Sequence, residues 1–231
     1  AVGEKVYRQI DINLGCPFPM IAGKHKGAGM LLYPAQVAEV LAPIAEYPEI
    51  QFSLKMRLGW ENASECMVLV ELLNTLRLSR IALHARTGKQ QYKGHPDLEA
   101  FQGFYELCQH PLYYNGGIES LSDIRQILTR FPLLKGVFIG RGLLSSPLLA
   151  KEFKGNETFL PEQRMSIYFA FHEELFSAYS QVLQGETQLL VKMKTLWEYF
   201  LPETDRKLLK RIKKSTRLQQ YTESVKAIFT S

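Results

Sequence analysis

The stretch Asp11-Ile12-Asn13-Leu14-Gly15-Cys16-Pro17-Phe18-Pro19 decides the fold. Apolar and polar residues alternate up to Leu14, which is the pattern of a strand with one buried face. Gly15 and the two prolines then end the strand. Cys16 therefore follows a strand end, where reacting groups collect in proteins that alternate strands and helices. By itself, a free cysteine is more often a small buried apolar residue.

The size and composition of the chain allow one large domain, or one domain with a smaller one. The chain has 231 residues, of which 46% are hydrophobic and 22% are charged, and its net charge is +5. No segment approaches the roughly 20 apolar residues that span a bilayer, and no signal-peptide pattern opens the chain. We therefore expect a cytoplasmic protein without membrane association. The separation of Cys16, Cys66 and Cys108 argues against a disulfide framework and against a metal site.

Strands and helices alternate after the first strand. Glycine, proline and polar loops separate short apolar runs from segments with helical periodicity. The further predicted strands cover residues 50–56, 81–84, 111–115 and 137–139, and the predicted helices cover residues 34–47, 64–78, 97–107 and 120–131. Units of about 30 residues with this alternation predict a parallel sheet with right-handed crossovers.

All five predicted strands end in residues that suit a binding site. One polar residue at a strand end is commonplace, but five consecutive polar or glycine-bearing ends predict a single site on one side of the sheet. In strand order, these residues are Asn13 and Cys16, Lys55 and Arg57, His84 and Arg86, Asn115 and Gly117, and Gly140 and Arg141. The last two ends offer unobstructed N–H groups for a phosphate, although any tight turn can use glycine.

The polar side chains at the strand ends suit a flavin and a substrate stacked on it. Lys55 and His84 could stabilise the negative charge that a flavin gains on reduction. Cys16 could then donate a proton to the substrate, and Asn13 could position that substrate with its amide. Taken singly, a lysine or histidine in a strand is more often structural.

From about residue 151 only helical periodicity remains, over residues 161–183, 187–200 and 203–229. Residues 187–217 contain nine Lys or Arg against three acids. Four of these cations have helical spacing and are predicted to share one face of a helix: Lys207, Lys210, Arg211 and Lys214. Such a face could follow a phosphate backbone. A solvated helix face is an equally good interpretation of this pattern.

Five motifs are similar to the successive strand-end motifs of the tRNA-dihydrouridine synthases: DINLGCP, SLKMRLG, LHARTG, YYNGGI and FIGRG. The similarity covers about residues 9–149, and the helical remainder resembles the RNA-binding domain of that family. The resemblance implies a (β/α)8 TIM barrel of which strands four to eight are present, followed by an all-α domain. It assigns residues 1–150 to a partial FMN-binding catalytic domain and residues 151–231 to a basic, helical tRNA-binding domain.

The resemblance also implies the reaction and the site. The family reduces the C5–C6 double bond of uridine in tRNA with FMN, and NADPH reduces the flavin again. By resemblance, Cys16 protonates C5 while hydride passes to C6, and Asn13 holds the uracil. The flavin-binding positions are Lys55, His84, Asn115, Gly117, Gly140 and Arg141. The RNA is expected to contact Arg86 and the segment Lys24-His25-Lys26, in which Lys24 and Lys26 make the contacts. No metal ion is expected in the site.

The chain departs from the family pattern because its first strand corresponds to strand four. Five strands leave two sheet edges exposed. We therefore expect an N-terminally truncated barrel that retains flavin weakly, has doubtful activity by itself and self-associates through its edges. Two alternatives remain open: an FMN-dependent barrel enzyme acting on a free pyrimidine or other small molecule, and a non-catalytic RNA-binding fragment.

Overall fold

The computed structural model describes residues 7–230, which divide into two compact units. Unit 1 comprises residues 7–118 and 122–139, and unit 2 comprises residues 119–121 and 140–230. Unit 1 contains the sheet, whereas unit 2 consists of helices and their connections. The division lies about ten residues before the boundary expected at residue 150.

Unit 1 is built on a parallel sheet of five strands. The strands are β1 (Gln9–Leu14), β2 (Gln51–Gly59), β3 (Leu78–Thr87), β4 (Leu112–Asn115) and β5 (Gly136–Phe138). They pair in the order β1-β2-β3-β4-β5, and every neighbouring pair is parallel. The predicted α/β class with a parallel sheet is therefore confirmed.

Helices connect the strands of unit 1. They are α1 (Pro19–Ala22), α2 (Pro34–Leu41), α3 (Glu65–Thr75), α4 (Leu98–Leu107) and α5 (Leu121–Arg130), with 3-10 helices at Gly27–Leu32 and Ala42–Glu46. The helix predicted over residues 34–47 changes to 3-10 geometry after Leu41. Pro43 explains the change, because it has no N–H for an α-helical hydrogen bond and its ring obstructs the preceding turn.

The sheet has an apolar face and a polar face. In β2, buried Leu54, Met56 and Leu58 alternate with Lys55 and Arg57, and successive side chains of a strand point to opposite faces. The apolar face forms the core of unit 1. The polar face carries the residues that the sequence singled out.

Unit 2 consists of six helices within the described residues. They are α6 (Arg141–Ser145), α7 (Leu149–Gly155), α8 (Pro161–Val182), α9 (Gly185–Leu196), α10 (Arg206–Lys214) and α11 (Leu218–Phe229). The single helix predicted over residues 203–229 is wrong, because α10 and α11 are separate. Ser215 and Arg217 have extended backbones between them, and the Thr216 N–H donates to the Gln220 side chain (3.2 Å).

A chain of hydrogen bonds runs through the core of unit 2. The Trp197 indole N–H donates to the Tyr221 hydroxyl (3.0 Å), and that hydroxyl donates to His172 Nε2 (2.6 Å). His172 Nδ1 therefore carries the proton of the neutral ring and donates to the Glu173 carboxylate (3.0 Å). Burial lowers the pKa of His172, and Glu173 opposes this shift only in part.

No helix among residues 7–230 combines the length and apolar composition needed to cross a bilayer. In the same part of the chain, no group of three or more His, Cys, Asp or Glu side chains could hold a metal ion.

Candidate active site

The polar face of unit 1 brings together side chains from four neighbouring strands. Asn13 of β1 pairs in register with Lys55 of β2, and Arg57 of β2 pairs with His84 of β3. His84 in turn pairs with Asn115 of β4. Residues in register on parallel strands point to the same face, so these side chains line one surface near the carboxyl ends of the strands.

Cys16 lies just beyond β1 and is half-buried. Its carbonyl accepts a hydrogen bond from the Ala28 N–H (3.0 Å). Gly27 packs directly against it, with φ +56°, and a Cβ on Gly27 would lie 2.8 Å from the Cys16 Cβ. Only glycine combines this conformation with this contact, so Gly27 fixes the position of the thiol-bearing residue.

The side chains of Asn13 and Lys55 keep donor groups available beside Cys16. The Asn13 Oδ1 accepts the Gly15 N–H (3.0 Å), which leaves its Nδ2 as the outward donor. Among residues 7–230, the Lys55 ammonium makes no hydrogen bond and no ion pair. Burial, and to a lesser extent the neighbouring Arg57 guanidinium, lower the pKa of Lys55. An electron-rich ligand would relieve both effects.

Arg57 connects three parts of the chain around the site. Its side chain is 1% exposed, and it donates to the carbonyls of Gly15 (3.1 Å), Thr87 (2.8 Å) and Gln91 (2.7 Å). The guanidinium also lies 5.3 Å from the centre of the Tyr92 ring. Arg57 thus ties the residue before Cys16 to the loop that follows β3.

His84 and Arg86 form a buried pair on β3. Arg86 Nη1 donates to His84 Nε2 (3.2 Å), and Arg86 Nη2 donates to the Gly94 carbonyl (2.9 Å). A guanidinium can only donate, so His84 Nε2 is an acceptor and Nδ1 carries the proton. Arg86, for which the sequence predicts an RNA contact, is 5% exposed and holds the loop after β3.

Asn115 and the glycines after it shape the end of β4. Asn115 Nδ2 donates to the Phe138 carbonyl (2.8 Å) and so joins β4 to β5. Gly117 has φ +62°, and a Cβ there would lie 2.9 Å from Pro96 Cγ. This turn therefore requires glycine, which accounts for the motif on conformational grounds.

The remaining predicted site residues lie outside the five strands. Lys24 and Lys26 are exposed in the connection between α1 and the following 3-10 helix, and between them the His25 ring stacks on Tyr33 at 4.2 Å. Gly140 and Arg141 belong to unit 2, where Gly140 precedes the first turn of α6. The structure thus brings Asn13, Cys16, Lys55, His84, Arg86 and Asn115 together in unit 1.

Two further residues of this surface are Arg57, which the sequence places at a strand end without a specific role, and Tyr92, which the sequence does not single out. Arg57 follows Lys55 by two positions, so strand alternation alone could have placed it on the same face. Tyr92 gave no signal, because it lies in a long polar loop. Polar contacts also hold the loop between β2 and α3. The Trp60, Glu61 and Asn62 N–H groups in that loop donate to the Glu65 carboxylate.

Comparisons with known proteins agree with the motifs. The family model described as "Dihydrouridine synthase (Dus)" matches residues 1–230. A "Probable tRNA-dihydrouridine synthase" of Aquifex aeolicus is 36% identical over 149 residues, which are 63% of this chain and 46% of that protein. A protein of the same description from Rhizobium leguminosarum bv. phaseoli is 32% identical over 139 residues, 60% of this chain and 44% of its own length.

A third relative is the "tRNA-dihydrouridine synthase B" of Vibrio vulnificus, which is 27% identical over 157 residues. That alignment covers 66% of this chain and 48% of the relative. The chain thus spans about half the length of the curated relatives it matches. The family match, by contrast, extends over almost the whole chain and includes all five strand-end motifs. On this basis, the chain belongs to the dihydrouridine synthase family.

Proposed function

We propose that the chain is a flavin-dependent oxidoreductase that reduces the C5–C6 double bond of uridine in tRNA. One observation carries the proposal: Asn13 and Lys55 pair in register on one polar face beside Cys16, and His84, which pairs with Arg57, lies on the same face. Family membership supports the same reaction class. The substrate of the named relatives, tRNA, suggests the substrate here and a cytoplasmic site of action.

The residues of the polar face fit an FMN ring. The Lys55 ammonium has no acceptor among the described residues, and its pKa is lowered by burial, so an electron-rich ligand edge would stabilise it. His84 presents a proton on Nδ1 because Arg86 occupies the accepting Nε2. When bound, FMN would supply the hydride for the reduction of uridine, and NADPH would then reduce the oxidised flavin again. The proposed FMN contacts are Lys55, His84, Asn115, Gly117, Gly140 and Arg141.

The proposed catalytic and RNA-binding residues each have a defined role. Cys16 donates the proton to C5 of the uracil, and Asn13 orients the uracil through its outward Nδ2. Lys24 and Lys26 contact the RNA phosphates as exposed cations. Arg86 acts on the RNA indirectly, by holding the loop of Gly94.

We further propose that β1 to β5 correspond to strands four to eight of a (β/α)8 barrel. The parallel order and the sequence of strand-end motifs support this correspondence. Unit 2 is proposed to bind tRNA, because its helices carry the cation-rich residues 187–217. Self-association through the edge of β1 is part of the proposal, since β1 pairs only with β2 among the described strands.

The test combines a spectrum with a reduction assay. The protein is loaded with FMN, and the loading is monitored by the flavin absorption band at about 450 nm. The loaded protein is then incubated with NADPH and a tRNA transcript. We expect dihydrouridine to form in the tRNA. Cys16→Ala should slow its formation by about 10²- to 10⁴-fold, the usual contribution of a positioned acid.

Cys108→Ala is the matched control, because Cys108 is also a half-buried free thiol but lies outside the polar face. It should reduce tRNA at the wild-type rate. If FMN-loaded protein forms no dihydrouridine, the five strands of this chain do not suffice for the proposed reaction, in agreement with the doubtful activity expected of a truncated barrel. If Cys16→Ala and Cys108→Ala behave alike, the role of Cys16 is wrong. Reduction of free uracil in preference to tRNA would favour the small-molecule alternative.

A further inference from the structure

A cavity of about 350 Å³ lies within unit 2. It is bounded by the end of α6, by α8 and α11, and by the connection between α9 and α10 with the first turn of α10. Its apolar and aromatic lining residues are Met165, Tyr168, Leu201, Pro202, Leu208 and Ile228. A volume of this size and a mostly apolar lining with few polar groups are typical of sites for small molecules.

One wall of the cavity is rigid, and another is adaptable. Tyr168 is 4% exposed and Ile228 is 5% exposed, so both belong to the packed core of unit 2. The Tyr168 hydroxyl is also fixed by hydrogen bonds with Ser146 (2.8 Å) and Arg164 (3.3 Å). Met165 is only half-buried, and the flexible methionine side chain fits its surface to ligands of different shape.

Leu201 lines the cavity in a backbone conformation that leucine rarely adopts. Its φ is +48°, in the left-handed region that favours glycine and asparagine. Its N–H donates to the Ser145 carbonyl (3.5 Å), and its carbonyl accepts the Thr204 N–H (3.0 Å). Strained backbones of this kind persist where the surrounding structure imposes them, and they are concentrated at binding sites.

Negative charge collects at this cavity in a segment that is otherwise cationic. Residues 187–217 contain nine Lys or Arg and three acids, and two of these acids, Glu203 and Asp205, line the cavity. Among the described residues that line it, none is Lys or Arg. The cavity therefore has the charge opposite to that of the surrounding segment.

Both carboxylates can accept from a ligand. Asp205 caps α10 through Oδ1, which accepts two main-chain N–H groups of that helix, so Oδ2 remains available. Glu203 is exposed, and within residues 7–230 its carboxylate forms no hydrogen bond and no ion pair. A positively charged group in the cavity would supply the partner that Glu203 lacks there.

We propose that this cavity binds a small organic amine with an apolar body. The body packs against Met165, Tyr168 and Leu201. The protonated amine contacts the carboxylates of Glu203 and Asp205, which repel anions of the same size. This binding goes beyond the proposed reaction, because it involves neither flavin nor RNA.

The test titrates the full chain near pH 7 with tryptamine and, separately, with tryptophol. The two probes share the same indole body, but tryptamine ends in an ammonium group and tryptophol in a neutral hydroxyl. We expect tryptamine to bind about three- to tenfold more tightly, as two partly exposed ion pairs contribute. For ligands of this size, the dissociation constant should be about 1 mM or below.

Methyl resonances of the methionines locate the bound probe. The Met165 methyl resonance, assigned with a Met165→Leu variant, should shift on titration because Met165 lines the cavity. Met20 is the matched control, since its side chain is 78% exposed in unit 1 and reports unspecific contact with an apolar probe. Its resonance should not shift.

Exchange of one carboxylate for an amide tests the recognition of charge. Glu203→Gln should weaken tryptamine binding about threefold and leave tryptophol binding unchanged. Glu198→Gln is the matched control, because it removes the same charge from an exposed position of the same segment that does not line the cavity. It should change the binding of neither probe.

Three results would overturn the inference. Equal affinities for tryptamine and tryptophol would exclude recognition of the cation. Equal effects of Glu203→Gln and Glu198→Gln would mean that only net charge matters. Absence of a Met165 shift at millimolar tryptamine would exclude the cavity as the site. No flavin or RNA is present in these assays, so their outcome is independent of the test of the proposed reaction.

Discussion

Arg57 stabilises the surroundings of Cys16 through main-chain contacts rather than through chemistry of its own. It is fully surrounded by protein and binds three carbonyls from two segments that are distant from it in sequence. Hydrogen bonds from a charged donor contribute about 1.5–3 kcal/mol each, more than neutral ones. Their loss leaves buried carbonyls unsatisfied, which adds to the cost.

Replacing Arg57 by Lys should therefore lower the free energy of unfolding by about 2–4 kcal/mol. Lysine keeps the charge but cannot reach all three carbonyls. The measurement is chemical denaturation of wild type and variant. Arg77→Lys is the control, because Arg77 is exposed and donates to a single carbonyl, that of Pro48 (3.3 Å). It should cost less than about 0.5 kcal/mol, and equal losses would refute the role of Arg57.

Gly27 and Gly103 should respond in opposite directions to the same substitution. Gly27→Ala places a methyl group 2.8 Å from the Cys16 Cβ in a left-handed backbone, and should cost at least about 2 kcal/mol. Gly103 lies inside α4 with its nearest neighbour at 3.7 Å, so Gly103→Ala should stabilise by about 0.5–1 kcal/mol. Thermal unfolding of both variants measures the effect. A neutral Gly27→Ala would contradict the close contact with Cys16.

At the level of elements, strand and helix periodicity predicted β1 to β5 and α8 well. Each strand has one apolar face whose burial stabilises the fold, and the alternation of apolar residues in the local sequence predicts that face. The break between α10 and α11 was not readable, because residues 215–217 contain neither glycine nor proline. It depends on Lys194, which donates to the Ser215 carbonyl from α9, and on Gln220. The sequence places Arg57 at a strand end, but its role was not readable for the same reason, since its partners are carbonyls far along the chain.

The hydrogen-bonded core of unit 2 predicts a pH-dependent stability. The folded pKa of His172 is lowered, so the unfolded chain binds a proton more readily than the folded one. The stabilisation is complete above the unfolded value of about 6.5 and is lost as the pH falls below it. The loss can reach at most about 1.4 kcal/mol per pH unit between the unfolded and the folded pKa, because there the unfolded chain binds one proton more than the folded chain.

Denaturation at several values between about pH 7.5 and pH 5 tests this expectation. His172→Gln should be less stable at neutral pH but should lose less stability on acidification. His95→Gln, a change at an exposed histidine, should keep the wild-type slope. Identical slopes for wild type and His172→Gln would show that the buried ring is not the titrating group.

At the level of the whole molecule, the edge of the sheet should govern self-association. β1 pairs with β2 alone among the described strands, and most of its residues are exposed. Unpaired strand edges favour pairing with another chain, and a charge on the edge opposes it. Ile10→Lys should therefore raise the dissociation constant of any dimer at least about tenfold, or about 1.4 kcal/mol.

Analytical ultracentrifugation over a range of concentrations measures this association. Val40→Lys serves as control, since Val40 is similarly exposed but lies on α2. It should associate like the wild type. A wild-type protein that stays monomeric at all concentrations would contradict the expectation.

The chain contains two tryptophans, and they are divided between the units: Trp60 follows β2 in unit 1, and Trp197 lies in the core of unit 2. Each unit therefore carries its own intrinsic fluorophore. A Trp60→Phe variant would emit from unit 2 alone, so the refolding time of the helical unit could be read without any attached dye. Comparison with the wild-type trace would then give the timing of the sheet-containing unit by difference.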